Sequence, residues 1–175
     1  MIYLCEREIG FDDTEIGFPS VLGCRAVVAV TAGGLFGFHL NGSLNAGKKA
    51  ALVGFINGHA RGGALRALYA ASTGPGLLAD YAELRDIAND LHYTGPIYWA
   101  SLPQAGSSYV NFHNINNTTC AITARAWDDA VDADDANRVP NVVGANRAMA
   151  NGAANARVYN HVDPAGLKAV YPNAI

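Results

Sequence analysis

A thiol and an imidazole lie fifteen positions apart near the start of the chain, at Cys24 and His39. Each belongs to an apolar, strand-like run of residues. Such a pair can act as nucleophile and base, since the imidazole takes the proton of the thiol and the thiolate attacks a carbonyl or carboxamide carbon. Gly23 precedes the cysteine, where a residue without a side chain lets the backbone bend and leaves room for a substrate.

The pair meets only if the two runs form an antiparallel hairpin in a suitable register. If the turn spans Thr31 to Gly34, Cys24 is the diagonal neighbour of His39 on one face, at about 7–8 Å between α-carbons. If the turn begins and ends one residue earlier, the two residues are directly opposite, at about 5 Å. A tight turn at Gly33-Gly34 would place them too far apart. The sequence leaves the register open.

The residues around this pair resemble a known family. Val21-Leu22-Gly23-Cys24 and Leu35-Phe36-Gly37-Phe38-His39 are similar to the catalytic segment of bacterial deamidases of the cytotoxic necrotizing factor type, with chemoreceptor glutamine deamidases as more distant members. The resemblance covers residues 20–42. It implies that Cys24 is the nucleophile and His39 the general base. It also implies an enzyme that converts a glutamine carboxamide on a target protein to glutamate without a cofactor.

The resemblance leaves the third member of the site open. Some members carry a hydroxyl residue six positions before the cysteine, where this chain has Phe18. Others orient the histidine with a backbone carbonyl from another strand. Ser20 and Thr14 are the nearest hydroxyls, and we keep them as candidate orienting or oxyanion residues, although both are also typical of turns.

Composition narrows the class of protein. The chain has 175 residues, half of them hydrophobic and only 15% charged, which excludes extensive disorder and predicts a single catalytic domain over 1–175. A net charge of −3 argues against nucleic-acid binding. We expect no metal, because the three cysteines lack the close spacing of zinc ligands. We also expect no membrane span. The N-terminus has acidic residues where a signal peptide has a basic region followed by a long apolar stretch, so we expect no signal peptide.

The residue pattern predicts a mixed α/β domain with antiparallel hairpins and two or three helices, and the resemblance to the deamidases implies a β-sandwich flanked by helices. We therefore expect an α+β fold, with a β-sandwich or mixed antiparallel sheet flanked by two or three helices. We expect helices after Asn45, around Leu65–Tyr69 and after Asp80. The strands are expected at 2–5, 21–31, 35–40, 96–102, 108–113, 119–127 and 156–162.

The Cys24 and His39 pair together with the resemblance favours a cysteine-dependent protein glutamine deamidase, which is a thiol hydrolase. The resemblance further implies a bacterial effector or toxin that acts as a virulence factor. Its partners would be a protein substrate bearing a reactive glutamine and, in addition, delivery machinery or an immunity protein. We expect secretion by a route independent of a signal peptide and action in the cytoplasm of the target cell, or otherwise a cytoplasmic protein. The alternatives are another Cys-His hydrolase or acyltransferase, such as a protease or transglutaminase-like enzyme, and a non-enzymatic binding or structural domain.

Overall fold

The computed structural model describes residues 1–103, 105–142 and 144–175. Most of its elements are strands, as follows: β1 Ile2–Tyr3, β2 Glu8–Asp12, β3 Glu15–Val21, β4 Cys24–Thr31, β5 Gly34–Asn41, β6 Leu65–Thr73, β7 Ile97–Leu102, β8 Ser108–Ile115, β9 Thr119–Ala126, β10 Arg138–Pro140, β11 Arg147–Met149, β12 Arg157–Tyr159, β13 Lys168–Val170 and β14 Asn173–Ala174. The α-helices are α1 Ala46–Gly58, α2 Leu78–Asp90 and the single turn α3 Asp129–Asp132, with a 3₁₀ turn at Asp135–Asn137.

The strands form two main sheets. The larger has seven strands in the order β11-β2-β5-β4-β6-β7-β14, and the second has five in the order β1-β3-β8-β9-β13. Strands β10 and β12 form a separate pair. Strands β6 and β7 are parallel, and helix α2 makes the long crossover that parallel neighbours need.

Alternating side chains of β4 belong to two different cores. Ala26 and Val28 join the cluster of buried residues contributed by both sheets, whereas Val27 and Ala29 join the cluster that includes residues of α1 and α2. The seven-stranded sheet is therefore a middle layer, with the second sheet on one face and the helices on the other. This arrangement confirms the predicted α+β class, with strands predominating.

Strands β4 and β5 form the expected hairpin. Thr31 pairs with Gly34, Ala26 with His39, and Cys24 with Asn41. This is the first of the two productive registers considered above, and it makes Cys24 the diagonal neighbour of His39. The hairpin turn itself is only Ala32-Gly33, because Gly34 already begins β5.

Three parts of the N-terminal half differ from the sequence-based expectation. Strands β2 and β3 occupy residues 8–12 and 15–21, where turn-type residues at 12–14 and 18–20 indicated a loop. The segment around Leu65–Tyr69 is strand β6 rather than a helix. It is buried on both faces, so its apolar residues show no alternation, and a short apolar run of this kind is ambiguous from sequence. The predicted strand 21–31 is interrupted at Leu22-Gly23, where Gly23 has a φ of +67° and the chain passes from the five-stranded sheet to the seven-stranded one.

Helices α1 and α2 are fixed by capping and by one buried cation. Asn45 caps α1 as expected, since its side chain accepts a hydrogen bond from the backbone N–H of Lys48. Asp80 lies inside α2 and accepts the N–H of Leu77, the residue that precedes the helix. Arg25, on the helix side of β4, contacts Asp80 at 2.7 Å and Glu83 at 2.6 Å. These ion pairs attach α2 to the strand that carries Cys24.

Candidate functional site

Cys24 and His39 lie on the same face of the hairpin, toward the second sheet. Residues two apart on a strand share a face, and Cys24 belongs with Ala26 to the cluster between the sheets. His39 is opposite Ala26 and is fully buried, whereas Cys24 is 5% exposed. Both residues lie at the end of the sandwich where β4 begins and β5 ends.

The imidazole of His39 is held in one orientation. Its Nδ1 lies 2.9 Å from the carbonyl oxygen of Leu4, so Nδ1 carries the proton and donates it to that oxygen. Its Nε2 is buried and has no hydrogen-bond partner among the described residues. Burial lowers the pKa of His39, which keeps the ring neutral. The free lone pair on Nε2 is therefore the feature that a general base requires.

The group that orients the His39 ring is the backbone carbonyl of Leu4, the residue after β1, rather than a side-chain hydroxyl. A carbonyl oxygen leaves no signature in a sequence, because every residue has one. Phe18, six positions before the cysteine, packs the edge of its ring against His39 at 5.8 Å between centroids. This is the position that carries a hydroxyl in some members of the family that residues 20–42 resemble, and here it contacts the imidazole through an apolar ring.

The thiol of Cys24 is turned toward a carboxylate rather than the imidazole. Its Sγ donates to Oε1 of Glu6 at 3.5 Å. Burial, and then the Glu6 carboxylate, raise the pKa of Cys24 to about 11. Oγ of Ser72 donates to the backbone carbonyl of Cys24 at 2.8 Å and fixes the start of β4. In this state the thiol is protonated and forms no hydrogen bond with His39.

The short segment Leu4–Arg7 reaches both members of the pair. Leu4 accepts the His39 ring proton, Glu6 accepts the thiol proton, and the backbone N–H of Arg7 donates to the carbonyl oxygen of His39 at 2.9 Å. Arg7 has a φ of +69°, in a turn closed by the N–H of Glu8 on the carbonyl oxygen of Cys5 at 3.0 Å. Sequence reasoning missed Glu6, whose acidic type was read only as evidence against a signal peptide.

A buried ion pair anchors this segment to the C-terminal part of the chain. Glu8 is fully buried, and Arg147 contacts it at 2.5 Å. Arg147 also donates to the carbonyl oxygen of Tyr3 at 2.8 Å. Asn141 and Asn155 donate to the second oxygen of Glu8 at 3.2 Å and 3.1 Å. The turn that carries Glu6 is therefore positioned by residues more than a hundred positions away.

The two hydroxyl candidates lie elsewhere. Thr14 precedes β3, at the strand end away from Cys24, and its hydroxyl donates to Asp12 at 2.8 Å. Ser20 is in β3 near the corner, with a φ of +57°, and its hydroxyl lies 3.5 Å from that of Ser107. Neither hydroxyl forms a hydrogen bond with Cys24 or His39 within the described ranges.

Two glycines near the pair have different roles. A Cβ on Gly23 would meet nothing within 4 Å, so the backbone beside Cys24 borders open space, as expected. A Cβ on Gly37 would lie 2.8 Å from a methyl group of Leu4 and 3.0 Å from Ile16 and Phe18. Gly37 therefore allows the two sheets to approach each other and does not open a cleft.

Neither a search against protein-family models nor a search of curated proteins gives a match for this chain. In the described part of the chain, no three or more His, Cys, Asp or Glu side chains are grouped so that they could hold a metal ion. Its helices are also too short or too polar to cross a bilayer.

Proposed function

We propose that this protein is a cysteine-dependent protein glutamine deamidase, with Cys24 as nucleophile and His39 as general base. The observation that carries the proposal is the state of the imidazole. Its Nδ1 is bound to the Leu4 carbonyl at 2.9 Å, while its Nε2 is unpartnered on the face of the hairpin that also carries the thiol. Buried polar side-chain atoms usually have a hydrogen-bond partner, so an unpartnered Nε2 on the strand face that also carries a cysteine supports a chemical role.

The reaction uses these two groups alone. His39 Nε2 removes the thiol proton, and Sγ attacks the carboxamide carbon of a glutamine side chain. The tetrahedral intermediate collapses as the imidazolium gives its proton to the departing nitrogen, which leaves as ammonia. Water, deprotonated by the same Nε2, then attacks the thioester, and glutamate and the free thiol are regenerated.

Activation requires the thiol to leave Glu6. In the diagonal register, α-carbons are about 7–8 Å apart, and the proposed reaction requires a rotation of the Cys24 side chain about its first torsion that brings Sγ from the carboxylate toward the imidazole. Thiol and ring are both neutral before substrate binds, since burial lowers the pKa of His39 and raises that of Cys24. Proton transfer is thus coupled to the arrival of substrate, and the resting thiol reacts slowly with other electrophiles at neutral pH.

The biological setting of the proposal follows from the resemblance of residues 20–42 to bacterial deamidases. In that setting the protein is an effector or toxin secreted without a signal peptide. Its substrate is a small GTPase, a translation factor or another signalling protein in the cytoplasm of a target cell. A delivery system or an immunity protein would be its further partner.

The test is a comparison of target-cell proteins treated with the wild-type chain and with Cys24→Ala, followed by peptide mass spectrometry. We expect glutamine-to-glutamate conversion at a small number of sites with the wild type and none with Cys24→Ala or His39→Ala. Crosslinked peptides would instead identify a transglutaminase, and cleaved peptides a protease, both with the same pair of residues. Sites converted equally by wild type and Cys24→Ala would refute the assignment.

A second candidate is a non-enzymatic binding or structural domain, and one observation favours it. Cys24 is 5% exposed and bonded to Glu6 rather than His39, which is compatible with an inert buried thiol. If the protein is such a non-enzymatic domain, Cys24 should resist iodoacetamide at neutral pH as strongly as the buried Cys120. Selective alkylation of Cys24 over Cys120 would contradict this second candidate function.

A further inference from the structure

Glu6 places an unneutralised negative charge at the candidate nucleophile. Its side chain is exposed, and its Oε1 lies 3.5 Å from Sγ of Cys24. Within the described ranges Glu6 forms no ion pair. The nearest cation along the strand, Arg25, is on the opposite face of β4 and is engaged by Asp80 and Glu83. The charge at the sulfur is thus set mainly by Glu6.

The position of this carboxylate is determined by the fold. Leu4 and Arg7, which lie on either side of Glu6, both form hydrogen bonds with His39 of β5. The carbonyl oxygen of Leu4 accepts from the imidazole, and the backbone N–H of Arg7 donates to the carbonyl oxygen of His39. Glu8, two residues later, is buried against Arg147. An exposed glutamate on a free loop would have many orientations, whereas this turn directs its side chain toward Cys24.

The Glu6 carboxylate interacts differently with a carboxamide ligand and with a carboxylate ligand of the same shape. A carboxamide brings an NH₂ group, which can donate to Oε1 in place of the thiol proton. A carboxylate of the same shape brings only acceptors and a second negative charge. At about 5 Å and an effective dielectric constant near 40, two like charges repel enough to reduce occupancy about tenfold or more.

We propose that Glu6 is the specificity-determining residue of the Cys24 site, hydrogen-bonding the NH₂ group of a neutral carboxamide and repelling a carboxylate. The assignment rests on the proposed function and refines it: glutamine is admitted and the product glutamate is expelled. The same contact holds the thiol at rest. Substrate NH₂ replaces the thiol as donor to Glu6, and the thiol is then free to turn toward Nε2 of His39.

The test uses two alkylating reagents of nearly equal size, neutral iodoacetamide and anionic iodoacetate, on the intact protein. The ratio of their rates at Cys24 is measured by peptide mass spectrometry for the wild type, Glu6→Gln and Asp13→Asn. The last variant is the control, because it removes one negative charge from an exposed turn at the other end of β3. Cys5 is the internal reference, because its pKa is shifted mainly by burial and by the charges of Glu8 and Arg147.

We expect the preference of Cys24 for iodoacetamide over iodoacetate to fall about tenfold in Glu6→Gln, while it is unchanged in Asp13→Asn and at Cys5. An unchanged ratio in Glu6→Gln would overturn the proposal, and so would a Cys24 that neither reagent labels in either protein. Glu6→Ala is the second variant. It removes the carboxylate without adding an amide and must give the same direction of change.

The outcomes separate this inference from the proposed function. If the ratio changes but no Cys24-dependent deamidation is found, the carboxylate selects neutral ligands and the deamidase assignment fails. If the wild type deamidates a target and the ratio does not move, the function holds and Glu6 has no part in selectivity. With an identified substrate, Glu6→Gln should be inhibited more strongly by the glutamate product than the wild type is.

Discussion

Nδ1 of His39 lies 2.9 Å from the carbonyl oxygen of Leu4, and this contact decides which nitrogen of the ring can act as a base. Because a carbonyl oxygen only accepts, the proton must be on Nδ1. We therefore expect the neutral Nδ1–H tautomer at pH 7, measured by long-range ¹H–¹⁵N correlation of the imidazole. An Nε2–H tautomer would remove the base from the proposed reaction.

Burial of the neutral His39 ring should make stability depend on pH. Its pKa is lowered in the folded protein, while in the unfolded chain it is about 6.5. Below that pH the unfolded state binds a proton that the folded state does not. Below about pH 6.5, His39 should therefore lower the free energy of unfolding by at most about 1.4 kcal/mol for each unit that the pH falls. Well above that pH, His39 makes no contribution to the pH dependence.

The variant His39→Gln should lose this contribution. Urea unfolding of both proteins, measured from about pH 7.5 to about pH 5.5 around the unfolded pKa, gives the two slopes. Equal slopes would mean that His39 accepts a proton without unfolding.

The rate of Cys24 alkylation should keep increasing with pH up to an unusually high pH. Burial and the Glu6 carboxylate raise its pKa to about 11, so its alkylation by iodoacetamide should increase up to that pH. Glu6→Gln removes the second cause and should move the midpoint down. Cys120 is the control, since burial alone raises its pKa to about 12 and its midpoint should not change.

Loss of Arg147 should be strongly destabilising. Arg147→Met leaves the fully buried Glu8 carboxylate without its cation, and removing one partner of a buried pair costs about 3–5 kcal/mol. Adding Glu8→Gln should recover part of that loss, because the remaining buried group is then neutral. Lys49→Met breaks a pair whose carboxylates are exposed and should change little. Urea unfolding of the four proteins measures these differences.

A methyl group at Gly37 should be tolerated poorly. The Cβ of Gly37→Ala would lie within 3.0 Å of Leu4, Ile16 and Phe18, and overpacking of this kind costs about 1–3 kcal/mol. Gly54→Ala is the matched control in helix α1, where a Cβ meets nothing within 4 Å. It should stabilise the protein by up to about 1 kcal/mol. Thermal unfolding that ranks the two variants in the opposite order would contradict the packing described here.

The hairpin carrying Cys24 and His39 was predictable because β4 is rich in β-branched residues, β5 is apolar and aromatic, and glycines separate the two strands. The predicted alternatives even included the observed register. Strand β6 was not predictable in the same way, since its residues are buried on both faces and their spacing also suits a helix. The sequence shows where the glycines are but not why they are needed. Gly37 is needed because the second sheet packs closely against it, and no local pattern reveals that contact.

The surroundings of the pair depended on contacts distant in sequence. The carbonyl oxygen of Leu4 has no sequence signature, and Glu6 is a single acid in a short turn. Its position depends on the pairing of Glu8 with Arg147, which are 139 residues apart. Residue type and local spacing pointed to the candidate pair Cys24 and His39, but not to the segment that orients the ring of one and accepts the thiol proton of the other.

The ion pair between Glu8 and Arg147 has a consequence for biosynthesis. A chain still on the ribosome that has emerged as far as β9 already contains Cys24 and His39, but Glu8 has no cation to neutralise it. The turn bearing Glu6 therefore lacks its anchor to the C-terminal part of the chain until Arg147 has left the exit tunnel. Fragments that end before Arg147 retain the contact between Leu4 and His39 but leave the buried Glu8 carboxylate without its cation.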